Sequence, residues 1–423
     1  MNVRVIFPLV WLIAPAPAFS AESPPPVEAS TLTGKVMCGY QGWFSTPGDR
    51  NNLGWGHYGF GKPGQCHIDL WPDVSGFGAD ELFETPLKFA DGTPASVFSS
   101  GNAKTVERHF EWMKTYGIDG VFLQRFGASV RDARSRAFRD KVQEAVRASA
   151  RRSGRTWALM YDLSGLKAGE IESVVMQDWK RQRNELRITD DPNYQRHAGR
   201  PVVAVWGIGF NDGRAYTLAE CGDLVRFLRD NPEFGGACVM VGVPFGWRTL
   251  DRDCVHDPAF FEAVARADLI SPWAVGRYAN PQQAEDQIRK VHADDEKWCR
   301  EHNMSYLPVV FPGFSWVNLM TSRNQPAKLD AIPRLGGEFL WRQGRARIEA
   351  GGSMLYVAMF DEMDEGTAIF KCADRTPEGA LGFVKPGAGP AGALPSDHYL
   401  WLAGMIGKAL RHEIPASPEM PKR

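Results

Sequence analysis

Residues 353–371 read SMLYVAMFDEMDEGTAIFK. The first half, Met354-Leu355-Tyr356-Val357-Ala358-Met359-Phe360, is an unbroken and mostly apolar run. Such a run, without polar alternation, suits a parallel strand covered on both faces. The second half turns acidic at once. Asp361, Glu362, Asp364 and Glu365 fall within five positions, and Gly366 follows. Like charges raise one another's pKa, so four carboxylates at the end of a buried strand are costly to hold together. A fold accepts that cost most readily where the charge has chemistry to perform.

Glu362 and Glu365 stand at i and i+3. In a helical turn they share one side, with Cβ atoms about 5–6 Å apart. Two carboxyls facing one sugar-sized cleft are the equipment of glycoside hydrolysis: one protonates the leaving oxygen, and the other acts as base or nucleophile. The competing reading is a solvated acidic loop that caps the next turn.

Working outward from this stretch, apolar runs alternate with helical periodicity along the chain. Strands are expected at 35–44, 120–126, 156–163, 200–210, 236–247, 267–278 and 306–316, ahead of the one at 354–360. Helices are expected at 103–116, 132–152, 170–187, 218–230, 258–266, 281–302, 336–350 and 399–410. Eight strands and eight helices in alternation predict an α/β protein, a (β/α)8 TIM barrel forming a single catalytic domain. The runner-up is an open doubly wound sheet, but no G-x-G-x-x-G follows the first strand. Residues 45–100 form a long Gly-, His- and Trp-rich excursion, and loops of that length are usually functional.

In a barrel the active site lies at the carboxyl ends of the strands. Aromatic residues gather at those ends here: Tyr40, Trp43, Tyr161, Trp206, Trp247, Trp273, Trp316 and Phe360. Flat apolar rings with polar edges suit the C–H face and hydroxyl rim of a sugar, although some of them must cap the barrel core. Gln41, Gln124, Arg125, Asp162, Arg277 and Asn318 are interleaved with the rings as candidate hydroxyl ligands. Arg125 or Arg277 is also placed to hold one glutamate ionised, and Asp162 equally suits a helix N-cap. Asp361 and Asp364 flank the glutamates and raise their pKa by proximity. His67 and Asp69, in the excursion, are further substrate-binding candidates. With His57 they also permit a metal reading, that of a metal-dependent hydrolase, on weak H-x-D spacing.

Composition narrows the class. With 43% apolar and 23% charged residues the chain reads as globular. A net charge of −1 leaves no basic field for nucleic acid. There is no P-loop, dinucleotide fingerprint or G-x-S-x-G, so no cofactor is expected. Seven widely spaced cysteines without C-x-x-C argue against structural zinc; an exported chain would allow one or two disulfides, and an odd cysteine must stay unpaired. Residues 1–20 read as a signal peptide, with Arg4, an apolar stretch broken by Pro8, Pro15 and Pro17, and a small-x-small site at Ala18-Phe19-Ser20. An N-terminal membrane anchor is the alternative. Residues 21–32 read as a Pro-rich linker, 33–411 as the barrel and 412–423 as a tail. The expectation is an exported protein, periplasmic or extracellular, without a membrane span once the signal is removed.

The motif Phe360-Asp361-Glu362-Met363-Asp364-Glu365-Gly366-Thr367 resembles the F-N-E-W-H-E-G-T segment of glycoside hydrolase family 99, the endo-α-mannosidases, and its relatives in family 71. Phe360, Glu362, Glu365, Gly366 and Thr367 match; Asp361, Met363 and Asp364 stand where the family has Asn, Trp and His. Gly39-Tyr40-Gln41-Gly42-Trp43-Phe44 is similar, less sharply, to the aromatic first-strand segment of family 99. Bacterial and fungal relatives of this kind are often described as xylosidase/arabinosidase-like. The resemblance implies a barrel glycosidase acting on an α-linked oligosaccharide or polysaccharide. It implies Glu365 as the general acid and Glu362 as the base. In that family the base deprotonates the sugar's own 2-hydroxyl, which gives a 1,2-anhydro intermediate and net retention. A direct nucleophile about 5 Å from the acid would also retain configuration. The alternative function is a catalytically degenerate, secreted carbohydrate-binding barrel.

Overall fold

The apolar runs become the strands of one parallel sheet. In the computed structural model, which describes residues 25–61, 65–389 and 392–423, the strands are β1 Val36–Tyr40, β2 Gly120–Phe126, β3 Thr156–Asp162, β4 Arg200–Trp206, β5 Cys238–Val243 and β6 Leu269–Pro272. The seventh, β7, comes as two short pieces, Ser305–Tyr306 and Val309–Val310, and β8 is Leu355–Val357. The main helices follow in turn: α1 Ala103–Tyr116, α2 Ala133–Ser153, α3 Gln177–Asn184, α4 Leu218–Asp230, α5 Ala259–Val264, α6 Pro281–Glu301, α7 Glu338–Glu349 and α8 His398–Leu410.

The hydrogen-bonded path runs from Ser305–Tyr306 through β6, β5, β4, β3, β2, β1 and β8 to Val309–Val310. Both ends of the path lie on the two pieces of β7. Between those pieces, Leu307 N donates to Ile270 O at 2.9 Å, and Pro308 O accepts from Tyr356 N at 3.0 Å. The sheet is therefore strongly curled, in the manner of a TIM barrel. Its register sets one rim: Phe126 pairs with Asp162, and Asp162 with Trp206.

Side chains on a strand alternate between faces. Inside the curl, Phe122 meets Tyr356 edge to face at 5.4 Å, and Gln124 Nε2 donates to the Tyr356 hydroxyl at 3.1 Å. One position on, Arg125 points outward into the helix layer. The strands are buried on both faces, which is why their sequences do not alternate. Each fully buried Val, Leu or Phe contributes roughly 1.5–3 kcal/mol. Four of these helices start on side-chain caps: Asn102, Asp132, Thr217 and Asn280 accept from the first-turn N–H groups of α1, α2, α4 and α6.

Several boundaries differ from expectation. The fourth strand stops at Trp206 because Gly207, at φ 111°, turns the chain away. Most of 306–316 is irregular, since Pro308 cannot donate to the ladder and Pro312 and Gly313 follow. The helix expected at 170–187 opens with a wide π-turn at Ile171–Met176 before α3. The excursion contains an antiparallel hairpin, Leu82–Lys88 with Pro94–Phe98.

The signal-like residues 1–20, with 21–24 of the expected linker, lie outside the described residues. From Pro25 on, the linker stretch is tied to the residues between α2 and β3: Val27 N donates to Gly154 O at 2.8 Å, and Arg155 reaches Pro25 O at 2.6 Å. The tail is docked too, with Trp341 Nε1 donating to Ser417 O at 2.9 Å. All seven cysteines are buried and unpaired, so neither of the disulfides that an exported chain would allow is formed. Among the described residues no helix is long and apolar enough to cross a membrane.

Candidate active site

The acidic half of the quoted stretch leaves β8 and folds into a tight turn. Gly366 sits at φ 63°, and a Cβ there would stand 2.8 Å from Ser315 backbone atoms, so only glycine lets the two segments approach. The Glu362 carbonyl accepts from Thr367 N and Ala368 N at 3.1 and 2.9 Å, and the Glu365 carbonyl accepts from Ser315 N at 3.0 Å. The turn thus delivers Glu362, Asp364 and Glu365 to one cavity of about 890 Å³ at the carboxyl ends of the strands. Gln41, Trp43, Gln124, Phe126, Asp162, Trp206, Trp273 and Met359 form its floor and sides. His57, Gln65 and His67 from the excursion, Ser164, Asp212, and Leu319, Ser322 and Arg323 from beyond β7 complete it. The volume suits an oligosaccharide unit or two.

The carboxyls differ in their partners. Glu362 accepts from Gln41 Nε2 at 2.6 Å and from the Thr367 hydroxyl at 2.7 Å. Asp361 points away, buried, and accepts from Gln41 N at 2.7 Å and Gly42 N at 2.9 Å. It therefore fixes the backbone of the residue whose side chain holds Glu362. Asp364 Oδ2 lies 3.0 Å from His57 Nδ1, and the His57 ring is stacked flat on Trp43 at 3.7 Å. Among the described residues no hydrogen-bond donor reaches the Glu365 carboxyl.

Burial, first of all, raises both glutamates. Repulsion from Glu365 and Asp364 adds to the rise at Glu362, while Thr367 and Gln41 oppose it. Glu365 is pushed up to about 7 by burial and by Asp364, with the Arg323 charge opposing. Two interacting carboxyls in one dry site titrate as a pair and retain a proton near neutrality. The donors decide where it rests. Gln41 and Thr367 favour the ionised form of Glu362, whereas no donor does so at Glu365. Asp162 is also raised, to about 6, by burial, against two bonds from Ser164. Its Oδ1 accepts from Ser164 N at 2.7 Å.

The structure brings together Gln41, Trp43, His67, Gln124, Asp162, Trp206, Trp273, Glu362, Asp364 and Glu365. The other expected residues do not line the cavity. Tyr40 is buried with its hydroxyl 2.9 Å from His109 Nδ1. Arg125 and Tyr161 face the helices, where Asp178 accepts from Arg125 Nε at 2.6 Å and from the Tyr161 hydroxyl at 2.7 Å. Asp140 accepts from Arg125 as well, at 2.9 Å. Both side chains are one position out of phase with the inward face. Trp247 is buried against Trp298 at 4.9 Å, Arg277 pairs with Asp253 at 2.6 Å, and Trp316 leans on Phe314 at 5.0 Å.

Asp69 is a clamp. Its oxygens accept from the Ser315 hydroxyl at 2.5 Å, Val317 N at 2.8 Å, Asn318 N at 2.9 Å and Asn318 Nδ2 at 2.8 Å. That set uses its lone pairs and leaves none for a metal. Among the described residues no three His, Cys, Asp or Glu side chains are grouped to hold an ion. Sequence reading missed Gln65, Phe126, Ser164, Asp212, Leu319, Ser322, Arg323 and Met359 as lining residues, and Thr367 as a donor to Glu362. Phe126 and Met359 could have been found from strand parity; Leu319 and Ser322 lie on the short helix Val317–Ser322, just beyond the run expected to be a strand, and the rest lie on turns and loops that carry no period.

Curled parallel sheet, surrounding helices and a carboxyl-lined cavity at the strand ends define a TIM-barrel-like fold. No protein-family model matches the sequence, and no curated protein matches it. Among solved structures the chain resembles the family 99 endo-α-mannosidase from Bacteroides thetaiotaomicron, with a TM-score of 0.62 at 15% identity over 90% of this chain and 99% of that one. It also resembles a glycoside hydrolase-like protein, with a TM-score of 0.53 at 13% identity over 92% and 97% of the two chains. At such identities the likeness is one of fold.

Proposed function

We propose that this protein is an exported glycoside hydrolase, a closed (β/α)8 barrel that cleaves an α-linked glycan with retention, using Glu365 and Glu362. The observation that carries the reading is the unequal bonding of two buried glutamates in one cavity. Glu365 keeps its proton and is suited to give it to the glycosidic oxygen as the bond to the anomeric carbon breaks. Glu362, held ionised by Gln41 and Thr367, then takes the proton of the sugar's 2-hydroxyl or attacks the anomeric carbon itself; either route gives retention. Water activated by Glu365 completes the cycle and restores its proton. Trp206, Trp273 and Trp43 offer ring faces to the sugar, and Gln124 and Asp162 offer polar atoms to its hydroxyls. Support for barrel closure comes from the two pieces of β7, which pair with β6 on one side and with β8 on the other.

The test is hydrolysis of α-mannans, α-glucans and arabinoxylans by the wild-type protein beside Glu362→Gln and Glu365→Gln. Wild type should release sugar from one class, and each variant should lose at least about a hundredfold of that rate. Tight binding of a glycan without release would instead identify a carbohydrate-binding barrel.

A further inference from the structure

The cavity lining holds two unlike groups of residues. One is Trp206, Trp273 and the Asp162 carboxyl, fit for the faces and hydroxyls of a neutral sugar. The other is Arg323 and His67, near enough for the Arg323 charge to act on the His67 ring. Arg323 is exposed to the cavity and, among the described residues, makes neither an ion pair nor a side-chain hydrogen bond. Arg214, the partner of the lining residue Asp212, is spent on it, with bonds of 2.6 and 2.8 Å.

The placement of Arg323 is built. Asp69 clamps the backbone of Val317 and Asn318, the first turn of the short helix Val317–Ser322, and Arg323 follows directly on its last residue. The same carboxylate lies two residues beyond His67. One buried clamp therefore fixes both halves of this wall, which come from opposite ends of the sequence. The Arg323 charge bears on Glu365, but among the described residues no hydrogen bond or ion pair joins the two side chains. Asp364, the other nearby carboxyl, is bonded to His57 at 3.0 Å.

We propose that the glycan this cavity takes carries an anionic group, the carboxylate of a uronic acid or a sulfate or phosphate ester, seated against Arg323 and His67. This rests on the glycosidase reading and names its substrate class. The planar guanidinium matches such groups with paired N–H donors, and His67 adds a ring N–H. The anion itself supplies no bond-making step. It fixes the sugar unit beside Glu365.

The test is a binding titration with Glu365→Gln protein, which should turn a glycan over about a hundredfold or more slowly than wild type. The probes are an α-linked uronic acid disaccharide, its neutral counterpart of the same ring and linkage, and the sulfated form of that counterpart. An anionic probe should bind about tenfold or more tightly than the neutral one. The preference should vanish when Arg323→Gln is added, survive in part with Arg323→Lys, and weaken with salt. Preference for the uronic acid or for the sulfated sugar tells the two sources apart. Equal binding of all probes, or a preference that Arg323→Gln leaves intact, overturns the proposal while the glycosidase reading stands. No binding of any glycan, together with no hydrolysis by wild type, overturns both. The Arg323 side chain makes no hydrogen bond or ion pair among the described residues, so a circular dichroism melt of each variant should match the parent and exclude misfolding as the cause of any loss.

Discussion

Glu365 and Glu362 are three residues apart yet sit in different chemical surroundings. One has the Gln41 amide and Thr367 hydroxyl at 2.6 and 2.7 Å; the other has no donor and the Asp364 charge as its neighbour. If Glu365 must be protonated to act, the rate falls as pH rises through about 7. Asp364→Asn removes the repulsion that helps hold Glu365 up, so the alkaline limb of the rate profile should move to lower pH. Profiles of wild type and variant over pH 5–9 check this, and an unmoved limb would detach Asp364 from Glu365. The motif was legible in the sequence because its chemistry is local: strand, turn and both glutamates lie in one short stretch. Arg125 was misread for a reason just as local. Inward and outward positions alternate, and Gln124, not Arg125, holds the inward one.

At the scale of elements, the excursion is less a lid than a brace. The buried rings of Tyr58 and Phe98 pack it against Phe44 and against His109 of α1, and Asp69 reaches across to the turn after β7. Asp69→Ala would leave the Ser315 hydroxyl and the Val317 and Asn318 N–H groups without their acceptor. Each buried donor left alone costs about 1–3 kcal/mol, so a loss of roughly 3 kcal/mol or more is expected in a denaturant melt. The wall carrying Leu319, Ser322 and Arg323 should loosen with it, raising KM more than it lowers kcat. A melt unchanged within about 0.5 kcal/mol would show that the clamp does not bear on stability. None of this was legible beforehand. An H-x-D pair in a loop reads the same whether its carboxylate faces a ligand or a backbone turn, and only the long-range fold decides.

For the whole molecule, alternation of strand and helix was legible because each strand is a buried apolar run and each helix a striped one. The break in β7 was not, since 306–316 is apolar whether or not it pairs. Seven buried, unpaired cysteines leave the fold to stand on packing and on buried polar networks such as Arg125 with Asp178 and Asp140. Reductant should therefore leave the melting temperature unchanged, and thiol titration of the denatured protein should count seven. A lower melting temperature in reductant would instead reveal a disulfide.

The most direct measurement of the central claim compares leaving groups. Hydrolysis of a natural α-glycan and of the matching dinitrophenyl glycoside is followed for wild type, Glu365→Gln and Glu362→Gln. A poor leaving group needs its oxygen protonated and a good one does not. Glu365→Gln should therefore lose about a hundredfold or more on the glycan and far less on the activated substrate, while Glu362→Gln loses on both. Equal rates for wild type and Glu365→Gln on both substrates would contradict the assignment of acid and base.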